Sequence, residues 1–250
     1  MARSRHPRRP TAAPPPLEIW SIDAGRCGPA LLALEANEPR LPAAHAAALL
    51  ARPERAVVHI ALRLLLERRL GGNLDRRPFT VSASGRPSLP DVPLDFNLSH
   101  CDGMALVAIG PGGPIGVDIE PVDRELGTLQ SRAGRIEAAA RTLASGRPLP
   151  GSGTSRLLAA WVRIEAFAKA DGAGVAALLS RLGIIGTRIS DADAAARAAG
   201  VAAHSPKLVL EDLMVAGGFV AAVARTDGTP IPVLREFPCE PLALDALAAQ

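Results

Sequence analysis

A chain of 250 residues with 48% hydrophobic content can bury one large core or two small ones, and with only 3% aromatics and no tyrosine that core must be aliphatic. The formal net charge is +3, but residues 1–16 carry Arg3, Arg5, Arg8 and Arg9 with no acid, and subtracting those four leaves −1 on the rest. A near-neutral body does not point to nucleic acid, three scattered cysteines (Cys27, Cys101, Cys239) exclude a disulfide framework and a zinc spacing, and the lack of an 18-residue apolar run excludes a membrane-spanning helix.

The first element expected is a strand over Leu17 to Asp23, which alternates. Helices follow over Ala43 to Ala51 and Pro53 to Leu70, the second amphipathic, arginine-studded and stopped by Gly71-Gly72. Short strands are expected over Phe79 to Ser82, Leu94 to Leu98 and Met104 to Ile109. The turn Gly110 to Pro114 leads into a strand from Ile115 to Glu120. Ser131 to Leu143 reads as a helix and Ala144 to Ser155, rich in Gly, Pro and Ser, as a loop. Leu157 to Ala170 and Ala176 to Leu182 are helical, and Lys207 to Met214 and Phe219 to Ala224 are strands. Ala192 to Ala203 is too rich in alanine to assign.

The chemistry concentrates in two segments. In Gly116-Val117-Asp118-Ile119-Glu120, the period of a strand puts Asp118 and Glu120 on one face while Val117 and Ile119 turn away. Two such carboxylates repel unless a cation lies between them, so removing either is expected to relieve repulsion. Oxygen-only ligands favour Mg2+ over zinc, and Mg2+ held by a few carboxylates completes its shell with water and substrate phosphates. On the helix beginning near Trp161, Glu165 and Lys169 are four apart and share a face. Glu165 is therefore a third candidate metal ligand and Lys169 a phosphate partner. Lysine occurs only at 169 and 207, against 26 arginines, so its presence here is selective. An ordinary exposed pair at this spacing contributes only about 0.3–0.5 kcal/mol.

Three stretches occur in a set order: Phe96-Asn97-Leu98-Ser99-His100-Cys101, then Gly116 to Glu120, then Trp161 to Gly174. In that order they resemble the 4'-phosphopantetheinyl transferases, of the broad-specificity (surfactin-synthetase-activating) type. Gly85-Arg86-Pro87 stands where that family has G-K-P, Arg55 to Leu70 is similar to its arginine-containing helix, and Gly217 to Ala224 to its closing strand. The resemblance covers about residues 17 to 226. Ile164, Arg86 and Cys101 depart from it, standing in place of a lysine, a lysine and a serine. Arg86 keeps the charge, with a planar fork instead of a point; Ile164 loses one, though Arg163 is adjacent; Cys101 reads as a buried small thiol.

The resemblance implies an α/β (α+β) fold of two pseudo-symmetric halves, each a small, mostly antiparallel sheet with a packed long helix and with the site in the cleft between them. The expected division is a disordered basic Pro-rich tail (1–16), an N-terminal half (17–114), a C-terminal half with the metal site (115–226) and an extension (227–250). The implied reaction is Mg2+-dependent transfer of 4'-phosphopantetheine from coenzyme A to a serine of an apo acyl or peptidyl carrier protein, releasing 3',5'-ADP. Asp118, Glu120 and Glu165 would be the metal ligands. Glu165 would serve as base, directly or through a metal-bound water, with Lys169 also catalytic. Arg55 or Arg52, Arg86, Pro87, Ser99, His100 and Lys169 would hold coenzyme A. His59, outside the motifs, reads as structural or exposed. The alternative is a non-catalytic paralogue that binds coenzyme A or carrier. The cysteine usage fits a cytoplasmic setting, and a chain containing both halves is expected to be a monomer.

Overall fold

The computed structural model describes residues 16–205, 207–229 and 232–248; the disorder expected over 1–16 falls outside these, except at Pro16. In chain order the N-terminal half contains β1 (Glu18–Asp23), α1 (Ala24–Asn37), α2 (Ala43–Leu50), α3 (Pro53–Leu70), β2 (Thr80–Val81), β3 (Pro87–Ser88), β4 (Leu94–Cys101) and β5 (Met104–Pro111). Then come β6 (Ile115–Pro121), a 3-10 turn (Gly127–Arg132), α4 (Ala133–Leu143), α5 (Gly153–Asp171), α6 (Val175–Arg181), α7 (Asp191–His204), β7 (Leu208–Leu213) and β8 (Phe219–Thr226). A final strand β9 (Val233–Glu236) and helix α8 (Pro241–Ala248) complete the described elements. The fold is thus mixed α and β with small, mostly antiparallel sheets, as the sequence leads one to expect. None of these helices is long and apolar enough to cross a membrane.

Alternation decides the layering. In β1, Trp20 and Ile22 point to one side and Leu17 and Ile19 to the other, and all four are buried. The first pair joins Phe96, Val107 and Ile109 under α1, α3 and α8. The second pair joins Leu106 and Ala108 against Ile115, Val117, Ile119, Ala221 and Val223 of β6 and β8. The sheet β4-β5-β1-β9 therefore packs face to face on the sheet β6-β8-β7. The outer face of the second sheet, with Ala222 and Ala224, is covered by α5, which packs on α4. The cross-section is helix, sheet, sheet, helix.

The halves differ in composition. Residues 227–250, expected to be an appendage, supply β9, which pairs parallel with β1, and α8, which packs on α3. Phe237 meets Trp20 edge-on with ring centroids 6.4 Å apart. The main sheet of the N-terminal half thus has four strands, one of them from beyond residue 226, against three in the other large sheet.

One exclusion drawn from the sequence is corrected here: Cys27 and Cys239 form a disulfide, with Cα atoms 4.3 Å apart. Their separation of 212 residues hid the pairing, which only the return of the chain to β1 brings about. Cutting this tie is expected to lower stability by about 2–4 kcal/mol. Urea unfolding of Cys27→Ala, and of the parent chain with and without dithiothreitol, measures it. A zero difference would mean that packing alone fixes the extension.

Three helices were not read from the sequence: α1, α7 and α8. α1 starts where the Asp23 carboxylate accepts Arg26 N at 2.9 Å, despite Gly25, Gly28 and Pro29 just inside it. Its buried Glu35 accepts the backbone N–H groups of Arg40 and Leu41, fixing the turn that follows. α7 resolves the unassigned alanine-rich stretch. It opens with a capping box of Ser190 and Asp193, a signal present in the sequence at the required spacing.

Candidate functional site

The site begins at a strand without a side chain. A Cβ on Gly116 would collide with Ala166 O and lie 2.6 Å from Ala170 N, so only glycine lets α5 rest its backbone on β6. That close approach carries Glu165 and Lys169 across the strand face from which Asp118 projects. The other side of β6 is the buried apolar one, with Ile115, Val117 and Ile119.

Strand β4 closes the remaining flank through three alternate side chains. Asp95 Oδ2 accepts Ile115 N at 3.3 Å, Asn97 Oδ1 accepts Val117 N at 2.9 Å, and Ser99 Oγ donates to Asp118 Oδ1 at 2.8 Å. Two backbone donors on the free edge of β6, Ile115 N and Val117 N, are thereby satisfied by side chains from the other sheet. This explains what Asn97 contributes within the Phe96 to Cys101 motif: a structural joint at the bottom of the site.

Asp118 is 1% exposed. Its Oδ1 also accepts from Lys169 Nζ at 2.7 Å, while Lys169 Nζ donates to Ser99 Oγ at 2.9 Å and to Val117 O at 3.0 Å. The Asp118 Oδ2 atom is buried and accepts no hydrogen bond from an N–H or hydroxyl, while a protonated Glu165 carboxyl can donate one to Asp118. Burial first, and then the Asp118 charge, push the Glu165 carboxyl up to about 7, against the opposing pull of Lys169 and Arg124. An orphaned carboxylate oxygen beside a second acid too burdened to ionise fully at neutral pH is a donor set suited to a hard cation.

Of the predicted metal ligands, Glu120 is drawn elsewhere. Glu120 forms an ion pair with Arg124, four residues further along the chain in the turn that follows β6. Among the described residues, no three acidic, histidine or cysteine side chains converge at metal-ligand spacing. The structure therefore joins Asp118, Glu165 and Lys169 and gives Glu120 to Arg124. Arg124 was missed by sequence reasoning, because nothing about an arginine after a strand distinguishes it from any surface residue.

Beside this cluster lies a cleft of about 350 Å³, whose lining includes Arg55, His59, Arg86, Pro87, Asn97 and Lys169. Arg55 also lines an adjoining cavity of about 550 Å³, shared with Arg52, so of the two arginines left open by the sequence only Arg55 borders both. Burial, then the charges of Arg55 and Lys169, lower the pKa of His100. His59, one turn beyond Arg55 on α3, is a second residue that the sequence reading left out of the site. Burial and the charges of Arg55, His100 and Arg63 hold it down at about 4, so it is neutral near pH 7. Its i+4 spacing from Arg55 was the available signal.

The departures from the family motifs find physical settings. Ile164 is fully buried in the core beneath α5. Arg163, its neighbour, does not compensate for a missing charge. It is fully buried and bonded to both oxygens of Asp212, at 2.7 and 2.6 Å, and to the carbonyls of Arg147 and Pro148. Cys101 has its thiol pushed up to about 11, chiefly by burial and then by Asp102 and Asp118, consistent with an inert thiol. Arg86, expected at a pyrophosphate, instead donates to Asp95 Oδ2 at 2.7 Å and to Lys169 O at 2.7 Å.

Neither a scan against protein-family models nor a search of curated proteins finds a match to this chain.

Proposed function

We propose that the protein transfers 4'-phosphopantetheine from coenzyme A to a serine hydroxyl of an apo acyl or peptidyl carrier protein, with Mg2+ as cofactor and 3',5'-ADP as the second product. The observation that carries this reading is the grouping of an unpartnered Asp118 oxygen, a Glu165 carboxyl raised to about 7 and the Lys169 ammonium, at the edge of a cleft lined by Arg55. The ordered motifs around Ser99, Asp118 and Glu165 support it independently.

In this reading Asp118 and Glu165 would hold Mg2+, and Glu120 would join them only on leaving Arg124. The ion, when bound, supplies charge neutralisation for the pyrophosphate oxygens. Lys169, held by Asp118 and Ser99, presents its cation to the phosphate that departs. On α3 it is Arg55, and not the neutral His59, that supplies positive charge to the cleft. Glu165 takes the serine proton. Its carboxyl is raised to about 7 in the metal-free protein, and a bound cation would lower it. The serine oxygen then forms a bond to the phosphorus that bears pantetheine, while the bond from that phosphorus to the bridging oxygen breaks and the electron pair leaves with 3',5'-ADP.

The pairing of Glu120 with Arg124 favours a second reading, in which the protein binds coenzyme A or carrier without transfer. Incubation with coenzyme A, Mg2+ and several apo carriers, followed by mass spectrometry of each carrier, separates the two. Gain of one phosphopantetheine is the expected result. Calorimetric binding of coenzyme A with every carrier mass unchanged would leave only the binder.

A further inference from the structure

We infer that Arg86 is a positioning residue, which clamps the end of α5 to the N-terminal half and so sets the Lys169 ammonium, and that it is not a phosphate ligand. The inference rests on the transfer reading only for its activity readout. Arg86 sits in the turn between β2 and β3, where its backbone is fixed twice by Ser82: Ser82 N donates to Arg86 O at 2.9 Å, and Arg86 N to Ser82 Oγ at 3.1 Å. From that anchor the guanidinium reaches across the junction of the halves. Nη2 donates to Asp95 Oδ2 at 2.7 Å, and Nη1 to the carbonyl of Lys169 at 2.7 Å.

Both contacts have reasons to be strong. Lys169 lies three residues from the Gly172 C-cap of α5, among the last four carbonyls that no intrahelical N–H can satisfy. A cation is favourable at this end of a helix. Asp95 is itself held in place, accepting Phe96 N at 2.9 Å and Ile115 N at 3.3 Å, so the clamp joins the β2–β3 turn, β4, β6 and α5. Lys169 is thereby pinned at both ends, by Arg86 at its carbonyl and by Asp118 and Ser99 at its ammonium. The fork of an arginine can serve two acceptors lying in different directions, which the compact ammonium of a lysine at this position does less well. The Arg-for-Lys departure thus acquires a purpose specific to this chain.

Four proteins test the clamp: the parent, Arg86→Gln, Arg86→Lys and Asp95→Asn, each first checked for cooperative melting. Hydrogen exchange of the amides of residues 168–172, measured without ligand, is expected to quicken about tenfold in Arg86→Gln and in Asp95→Asn, since each loses a charge-assisted bond. Arg86→Lys should recover part of the protection. Coenzyme A affinity, measured by calorimetry, should stay close to that of the parent in both, while turnover falls and the Michaelis constant does not. The opposite split would overturn the inference: a large loss of coenzyme A affinity in Arg86→Gln, absent from Asp95→Asn, makes Arg86 a phosphate ligand. Unchanged exchange in both variants would also overturn it. Should the parent transfer nothing, the exchange result still judges the clamp, and only the transfer reading falls.

Discussion

Asp118→Asn is expected to abolish transfer, by about 100-fold or more, while the protein remains folded. An amide at this position can still accept from Ser99 and Lys169, so the local joint survives, but it offers a cation no charge. The variant should also change how stability depends on pH. In the parent, the Glu165 carboxyl is held at about 7, chiefly by burial and secondly by Asp118. Its pKa is raised on folding, so between its ordinary value and about 7 the native state binds more protons than the unfolded one. Stability must therefore fall as pH climbs through that window and level off above it, by on the order of 2–3 kcal/mol. In Asp118→Asn the fall should shrink without disappearing, because burial remains. Mg2+ should stabilise the parent more at pH 8 than at pH 5, and the variant little at either. Chemical unfolding from pH 5 to 8, with and without Mg2+, measures all of this. Near-normal turnover in the variant, or a pH profile identical to the parent's, would remove Asp118 from the site.

Lys169→Ala should be costly in two respects. It leaves the nearly inaccessible Asp118 carboxylate without its counter-charge, and breaking a buried pair in this way costs about 3–5 kcal/mol. Because the Lys169 side chain is itself 24% exposed, the lower end of that range is expected. Transfer should be lost with it, mainly as turnover if the contact strengthens while charge moves onto the departing phosphate. Lys169→Arg should regain stability before it regains activity, since a planar fork cannot occupy the same three-acceptor position. Alanine costing well under 1 kcal/mol and leaving turnover intact would reduce Lys169 to an ordinary helix-surface residue. The same ion pair corrects an expectation drawn from the sequence. Deleting an acid from this strand does not simply relieve repulsion, because Asp118 is already compensated by Lys169 and only its second oxygen is bare.

Local signals carried much of the fold. The strands expected over Leu17 to Asp23 and Ile115 to Glu120 and the helix expected over Pro53 to Leu70 all appear in the structure, but both faces of the two strands are buried and the helix buries even Arg63. The grouping of Asp118, Glu165 and Lys169 was legible because the helix period places Glu165 and Lys169 on one side and the strand period turns Asp118 away from the apolar core. What escaped were side-chain choices between neighbours and features set by distant partners. Glu120 shares the face of Asp118, yet its side chain goes to Arg124, and no periodicity reports which neighbour a flexible acid will choose. Arg163 and Arg86 looked like free cations beside a phosphate site, and each is absorbed by an aspartate from elsewhere in the chain. The Cys27–Cys239 bond and the strand β9 share that cause: sequence spacing says nothing about which segments return to an edge.

That returning strand has a consequence for how the molecule is made. Synthesis delivers β1, β4 and β5 early, but the free edge of β1 is covered by residues 233–236, and the partner of Trp20 is residue 237. The other sheet needs nothing beyond residue 226. On the ribosome, then, the half that begins first is the one that finishes last. Until residues 233–247 emerge, β1 presents unpaired backbone groups of the kind that recruit foreign strands. Growth of nascent chains stalled between residues 226 and 240 should reveal a stretch of synthesis when the protein is most prone to self-association, ending as its closing strand docks.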